Sequence, residues 1–306
     1  MLRVIAVVGA TATGKSALAL DLAGELEIAG APRAEIVNAD AMQLYRGMDI
    51  GTAKVTPVER RGIPHHQLDV LDPSEEASVA AYQRAARADL AAIHERGGIA
   101  LVVGGSGLYV QGLLDQLEFP GTDPVIRAAL TERAEREGGR ILHDELAARD
   151  PVAAAKIEPA NVRRVIRALE VIELTGRPFS ASLPEGRHHF AGTLQLGLAA
   201  DMAWLDERIA RRALLMLDDG FVAEAAALGE LGRTASRATG YAQALAHLRG
   251  ELSEDELGDA IALATRQLAR RQVKWFRRDP RTHWLDAAEP GAALREARRL
   301  TLGRLG

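Results

Sequence analysis

The chain has 306 residues, 47% hydrophobic and 26% charged, which suits one large or two modest globular domains. With 38 basic and 42 acidic side chains the formal net charge is −4, so there is no global basic pull toward nucleic acid, and any RNA-binding face has to be local. No cysteine is present, which excludes disulfides and thiolate metal sites; the N-terminal apolar run, Val4 to Val8, is too short for a signal-peptide core or a membrane span, so a cytoplasmic protein with no membrane partner is expected.

Arg3–Val8 is predicted as a buried parallel strand, because a continuous β-branched run ends at once in glycine. Ser16 to Leu26 has helical spacing, Glu35–Ala39 is a second short strand ending in Asp40, and Ser78–Glu95 is an Ala-rich amphipathic helix. Ile99–Val103 is a third buried strand that ends in Gly104-Gly105. Strands separated by helices over the first ~110 residues imply a parallel sheet with crossover helices. From Asp123 to Thr175 the pattern turns helical and charged, and Arg177 to Gly192 is a loop rich in Gly, Pro and Ser. Thr193–Leu198 is a returning strand, helices follow over Trp204–Leu231 and Glu254–Arg278, and His283–Leu285 is a last strand. The expected fold is α/β: a P-loop core with a parallel sheet and helices on both faces, formed by residues 1–119 and 191–306 and interrupted by a helical insertion at 120–190.

Gly9-Ala10-Thr11-Ala12-Thr13-Gly14-Lys15-Ser16 fits G-x-x-x-x-G-K-[ST] with a strand before it and a helix after it. The glycines let backbone N–H groups turn inward around phosphate oxygens, and the helix N-terminus adds partial positive charge. Lys15 supplies an ammonium, and the Ser16 hydroxyl can ligate Mg²⁺. Lysine occurs at only four positions, Lys15, Lys54, Lys156 and Lys274, so a chance match is rare. A P-loop specifies a pyrophosphate and not a reaction. The acid that ATPases place at the end of an apolar strand is absent from the third strand, which ends in Gly104-Gly105-Ser106-Gly107; here Asp40 ends the second. Carboxyl ends of parallel strands line the ligand crevice, so Asp40, Ser106 and the P-loop are expected to meet in one cleft. Asp40 there is a metal ligand, a general base or, more plainly, a helix cap.

A basic face lies near the C-terminus. Between Leu263 and Arg281 stand Arg266, Arg270, Arg271, Lys274, Arg277, Arg278 and Arg281, against Asp279 as the one acid. Arg266, Arg270, Lys274 and Arg278 recur every four residues, with Trp275 and Phe276 interleaved, the footprint of phosphate contacts with base stacking; the plainer alternative is a solvated helix with two core aromatics. His65-His66 and His188-His189 lack partners at metal-ligand spacing and are assigned to loops.

At Asp40 the pattern becomes specific. Asp40-Ala41-Met42-Gln43-Leu44-Tyr45-Arg46-Gly47-Met48-Asp49-Ile50-Gly51-Thr52-Ala53-Lys54 resembles the signature of the tRNA dimethylallyltransferases. Val103-Gly104-Gly105-Ser106-Gly107-Leu108-Tyr109, Arg163-Arg164-Val165-Ile166-Arg167-Ala168-Leu169-Glu170-Val171, Gly240-Tyr241 and Ala264-Thr265-Arg266-Gln267-Leu268-Ala269-Arg270-Arg271-Gln272 with Trp275 and Arg277 resemble further family motifs, in family order across nearly the whole chain. Departures are mild: Ser106 stands where threonine is commoner, and Val55 where proline is. The cysteine-free C-terminal part lacks the zinc finger of eukaryotic relatives, which points to a bacterial form.

The resemblance implies transfer of a dimethylallyl group from dimethylallyl diphosphate to the exocyclic amine of the adenosine 3′ of the anticodon, with tRNA as partner and Mg²⁺ as cofactor; a monomer is expected. It implies Asp40 as general base, Lys15 and Arg212 on the departing diphosphate, and Ser106 near the diphosphate or the adenine. The tRNA contacts it implies are Asp40, Ala41, Met42, Gln43, Ser106, Arg127, Arg163, Arg164, Val165, Ile166, Arg167, Gly240, Tyr241, Arg270, Arg271, Lys274 and Arg277. Two other classes stay open on residues alone: a small-molecule kinase with ATP in the same P-loop, and a non-catalytic RNA-binding module with a relict P-loop.

Overall fold

The computed structural model describes residues 4–182 and 186–305. Arg3, which opens the first predicted strand, and residues 183–185 of the predicted loop lie outside them. The first stretch comprises strand β1 (Val4–Gly9), helix α1 (Lys15–Ile28), β2 (Ala34–Asn38), β3 (His65–His66), α2 (Val79–Glu95), β4 (Ile99–Gly104) and α3 (Gly107–Leu114). Four helices follow: α4 (Pro124–Glu137), α5 (Gly139–Arg149), α6 (Pro151–Ala154) and α7 (Val162–Thr175). The chain then returns as β5 (Leu194–Ala199), α8 (Met202–Asp218), α9 (Phe221–Ala227), α10 (Tyr241–Leu248), α11 (Glu254–Phe276), β6 (Thr282–Asp286) and α12 (Pro290–Leu305).

The six strands form one sheet in the order β3-β2-β4-β1-β5-β6, and every pairing is parallel. Its central strands read as unbroken apolar runs because helices cover both faces. Ile5 and Val7 point to one face, where they meet Leu18, Leu22 and Leu26 of α1 and Ala293 and Ala297 of α12. Val4, Ala6 and Val8 point to the other, against Tyr82, Ala86 and Leu90 of α2, Leu113 of α3 and Phe276. A further cluster joins Tyr45 and Met48 to α8, α9, α10 and α11 through Leu205, Ile209, Phe221, Tyr241 and Ile261. This cluster carries the Asp40–Lys54 segment onto helices far away in sequence.

Residues 115–187 form a separate compact helical unit; the core unit takes the chain up to Leu114 and from His188 onward. In the helical unit Val165, Ile166, Leu169 and Ile172 line one stripe of α7 and pack against Leu142, Leu146 and Ile157. Asn161 caps α7 by accepting the Arg164 N–H, and Asp123 caps α4 ahead of Pro124.

Several local expectations need correction. The helix read over Trp204–Leu231 is two helices, broken at Gly220, whose φ of +91° no helix interior accommodates. Helices α10 and α12 were not legible as such. His65-His66 is no loop: it pairs with Ile36 and Val37 as the edge strand, with the His66 Nε2 2.7 Å from the buried Glu35 carboxylate. Among the described residues no helix is long and apolar enough to cross a membrane.

Candidate active site

The P-loop emerges from β1 at the centre of the sheet. Gly9 is required there by close approach, because a Cβ would lie 2.5 Å from the Leu198 carbonyl oxygen of β5. Gly14 sits in the left-handed region at φ +90° and leaves the N-terminus of α1 without a side-chain cap, so its orphan amides face the cleft. Thr13 Oγ1 and Lys15 Nζ both donate to the Ala10 carbonyl, at 2.8 and 2.7 Å, folding the loop around its own apex. Burial pushes the Lys15 ammonium down to about 8, with the Asp40 carboxylate opposing the shift and Arg212 reinforcing it.

Around the loop opens a cleft of about 900 Å³ whose walls include Thr11, Lys15, Ser16, Asp40, Gln43 and Arg212. Asp40 follows β2, and its N–H donates to the Asn38 Oδ1 at 3.0 Å, while the Asn38 amide donates to the Asp40 and Gln67 carbonyls. Its Oδ1 accepts the Met42 N–H at 2.9 Å, which starts the 3₁₀ turn Met42–Leu44. Asp40 is therefore a turn cap through one oxygen, while Oδ2 carries no hydrogen bond from the described residues. Ser106, ahead of α3, accepts the Ala41 N–H on its Oγ at 3.0 Å and so ties the β4 loop to the Asp40 turn. Gln43 donates to the Thr52 carbonyl at 3.1 Å, and Met42 is half-buried beside it.

Helix α8 supplies the positive side. Arg212 donates to the Thr11 hydroxyl at 3.2 Å, and burial pulls its guanidinium below its ordinary range, against the attraction of Asp40. A guanidinium stays charged all the same. Arg208, one turn earlier, donates to the Ala12 carbonyl at 2.9 Å and stacks over Trp204 at 4.7 Å. Ala12 is held at φ +63°, so Arg208 supports the strained corner of the loop. Sequence reasoning missed Arg208, although its i, i+4 relation to Arg212 was a signal for it.

The signature segment is braced from behind. The Glu224 carboxylate accepts the Asp49, Ile50 and Gly51 N–H groups at 3.0, 2.7 and 3.1 Å, and also the Tyr241 hydroxyl. Tyr241 has no exposed surface and meets Phe221 edge-on, so its side chain shapes this loop and offers no face to RNA; Gly240 opens its helix. Lys54 is buried between Asp49 and Asp69 and donates to the Tyr45 carbonyl.

The basic face of α11 divides in two. Arg270 bonds Asp206 of α8 at 2.9 Å and Arg266 turns to the same carboxylate, so both fasten α11 to α8. Phe276 is buried in the core and takes no part in a surface. Arg271, Lys274, Arg277 and Arg278 remain exposed, and Trp275, 42% exposed, lies against Gly107 beside Ser106. In the helical unit the Val165 and Ile166 side chains belong to the core. Arg127 and Arg167 bond the fully buried Glu170, and Arg167 also donates to the Pro120 and Gly121 carbonyls. Burial alone would raise the Glu170 carboxyl; the two guanidinium hydrogen bonds hold it below its ordinary range. Arg163 and Arg164 are exposed.

A family model described as IPP transferase matches residues 43–279. The chain is similar to the tRNA dimethylallyltransferase of Nocardia farcinica, 56% identical over 291 residues that cover 94% of this chain and 91% of the relative. The enzyme of that name from Mycobacterium tuberculosis is 55% identical over 293 residues, covering 94% and 93%. Among solved structures, the tRNA isopentenylpyrophosphate transferase of Bacillus halodurans superposes with a TM-score of 0.71 at 36% identity, covering all of this chain and 97% of that one. A eukaryotic dimethylallyltransferase acting on tRNA superposes with a TM-score of 0.80 at 27% identity, covering 97% and 78%. The chain belongs to the IPP transferase family.

Proposed function

We infer that the protein transfers a dimethylallyl group from dimethylallyl diphosphate to the exocyclic amine of the adenosine 3′ of the anticodon in tRNA, releasing diphosphate. The observation that carries this reading is the meeting, in one cleft, of a P-loop, two arginines of α8 and a carboxylate with one oxygen open. The family match removes the ground for a kinase or a non-catalytic RNA-binding module.

The adenine amine is a weak nucleophile because its lone pair is delocalised into the ring. As its nitrogen bonds the allylic carbon, the carbon–oxygen bond to diphosphate breaks, and a proton passes from the amine to Asp40 Oδ2. Such a base contributes ~10²–10⁴-fold. The leaving diphosphate takes the electron pair and is met by the P-loop amides, Lys15 and Arg212, all in place before reaction. Mg²⁺ suits hard oxygen donors such as the Ser16 hydroxyl in the cleft: Ser16 and the substrate phosphates would hold it, and it would supply further charge neutralisation on the diphosphate. The target base stacks in the anticodon loop and must be flipped out to reach Asp40. Arg271, Lys274, Arg277 and Arg278 would take the RNA phosphates, with Trp275 as a stacking face next to Ser106. Arg163 and Arg164 are the contacts expected of the helical unit. The reading places the enzyme in the cytoplasm, working as a monomer.

The test is to incubate the protein with Mg²⁺, dimethylallyl diphosphate and unmodified tRNA and to analyse the digested nucleosides by mass spectrometry. A single adenosine heavier by one dimethylallyl group is expected; unmodified tRNA after prolonged incubation would overturn the reading.

A further inference from the structure

Gln272 is a buried amide on α11 that the reaction as described leaves unused. Its Oε1 accepts the Thr11 N–H of the P-loop at 2.8 Å, and its Nε2 donates to the Gly105 carbonyl at 3.0 Å. The two partners fix the amide's orientation, since one is only a donor and the other only an acceptor. Gly105 has no room for a side chain: a Cβ would stand 2.6 Å from Gln272 Nε2 and 3.1 Å from the Gly9 carbonyl. From Gly105 the chain passes directly to Ser106, whose hydroxyl holds the Ala41 N–H of the Asp40 turn. Hydrogen bonds and short stretches of backbone thus connect the P-loop through Gln272 to the loop after β4, and on to the Asp40 turn.

We propose that Gln272 is a positioning residue that sets the registry between the P-loop and the Asp40 turn, and hence between the allylic carbon and the attacking amine. This rests on the transfer reaction inferred above. The sheet pairs β1 and β2 with β4 as far as Val8, Asn38 and Gly104; beyond those strand ends, among the described residues, Gln272 is the side chain that bonds both Thr11 and Gly105. The strand pairing stops where the loops begin, and Gln272 carries the connection from there with one amide. Methionine has nearly the same length and volume but offers neither bond, so Gln272→Met removes the link while filling the space. Gly105→Ala attacks the same link from the other side by displacing the amide.

The experiment measures single-turnover transfer at saturating tRNA and dimethylallyl diphosphate, thermal stability, and binding of inorganic diphosphate with Mg²⁺ by calorimetry. A misplacement near 1 Å costs roughly 10²-fold in rate. Gln272→Met is therefore expected to lose about that factor at saturation while remaining folded. Diphosphate should bind more weakly, and Gly105→Ala should show the same pattern. Because both act on one link, the double variant should be little worse than the more impaired single variant. Normal saturated turnover in folded Gln272→Met, or losses that multiply in the double variant, would overturn the proposal. Should the unsubstituted protein transfer nothing, the fault lies with the inferred reaction. Diphosphate binding then decides on Gln272: weakening in both single variants supports the link, and unchanged binding overturns it.

Discussion

Lys15 carries a stability cost that can be measured apart from catalysis. Its ammonium is drawn into the P-loop, and burial lowers its pKa from 10.5 to about 8. At 1.36 kcal/mol for each tenfold change in proton affinity, this opposes folding by roughly 3 kcal/mol. Solvent reaches part of the side chain and screens the charge, which reduces this to about 2 kcal/mol. Lys15→Met should therefore stabilise the ligand-free protein at pH 7, by several degrees in melting temperature at ~2–4 °C per kcal/mol. The Ala10 carbonyl keeps its bond from Thr13, so no acceptor is orphaned. The sign follows from linkage. The folded protein releases this proton near pH 8 and the unfolded chain near 10.5, so the unfolded state binds more protons in between and wild-type stability rises there. The advantage of Lys15→Met should be full below about pH 8 and shrink steadily above it. Saturating diphosphate with Mg²⁺ should reverse the order, stabilising the wild type by about 2.7 kcal/mol at a hundred times Kd and leaving the variant nearly unmoved. The assay is thermal unfolding at pH 7.0, 8.5 and 9.5, with and without diphosphate. A variant less stable than wild type at pH 7, or a difference constant with pH, would refute the reasoning.

Three further outcomes follow from the geometry. Replacing Arg271, Lys274, Arg277 and Arg278 with alanine should flatten the salt dependence of tRNA binding by about 0.7–0.9 in slope for each phosphate that the protein no longer neutralises; Arg270→Ala, which frees Asp206, should act mainly on melting temperature. Glu224→Gln leaves an amide facing the Gly51 N–H and should cost about 1–3 kcal/mol, read as a lower melting temperature together with a raised KM, because the Asp49–Ala53 loop it holds lines the cleft.

Much of the core was legible because its signals are local. The apolar runs at Val4–Val8 and Ile99–Val103, and the glycine spacing around Lys15, required no knowledge of the rest of the chain. Asp40 could be placed at the crevice because carboxyl ends of parallel strands gather there. Residues whose role depends on contacts distant in sequence were read less well. Val165, Ile166 and Tyr241 lie in motifs with arginines or glycine, yet face inward because the helix stripe and the Phe221 ring take them. Arg127, Arg167 and Arg270 have the charge of RNA contacts, but Glu170 and Asp206 hold their guanidiniums. Nothing in the spacing of Gln272 announces a partner 261 positions away. Helix α10 is eight residues long and α12 is weakly amphipathic, so neither produces a strong period.

The proposed transfer depends on Asp40 accepting the proton of the adenine amine. Asp40→Asn keeps the size of the side chain and, through its remaining carbonyl oxygen, the bond from the Met42 N–H. The capacity to take a proton is lost, together with the negative charge that Lys15 and Arg212 face. Single-turnover transfer at saturating substrates should fall by ~10²-fold or more, with tRNA affinity, diphosphate affinity and melting temperature close to those of the wild type. A folded Asp40→Asn protein that transfers at the wild-type rate would contradict the account.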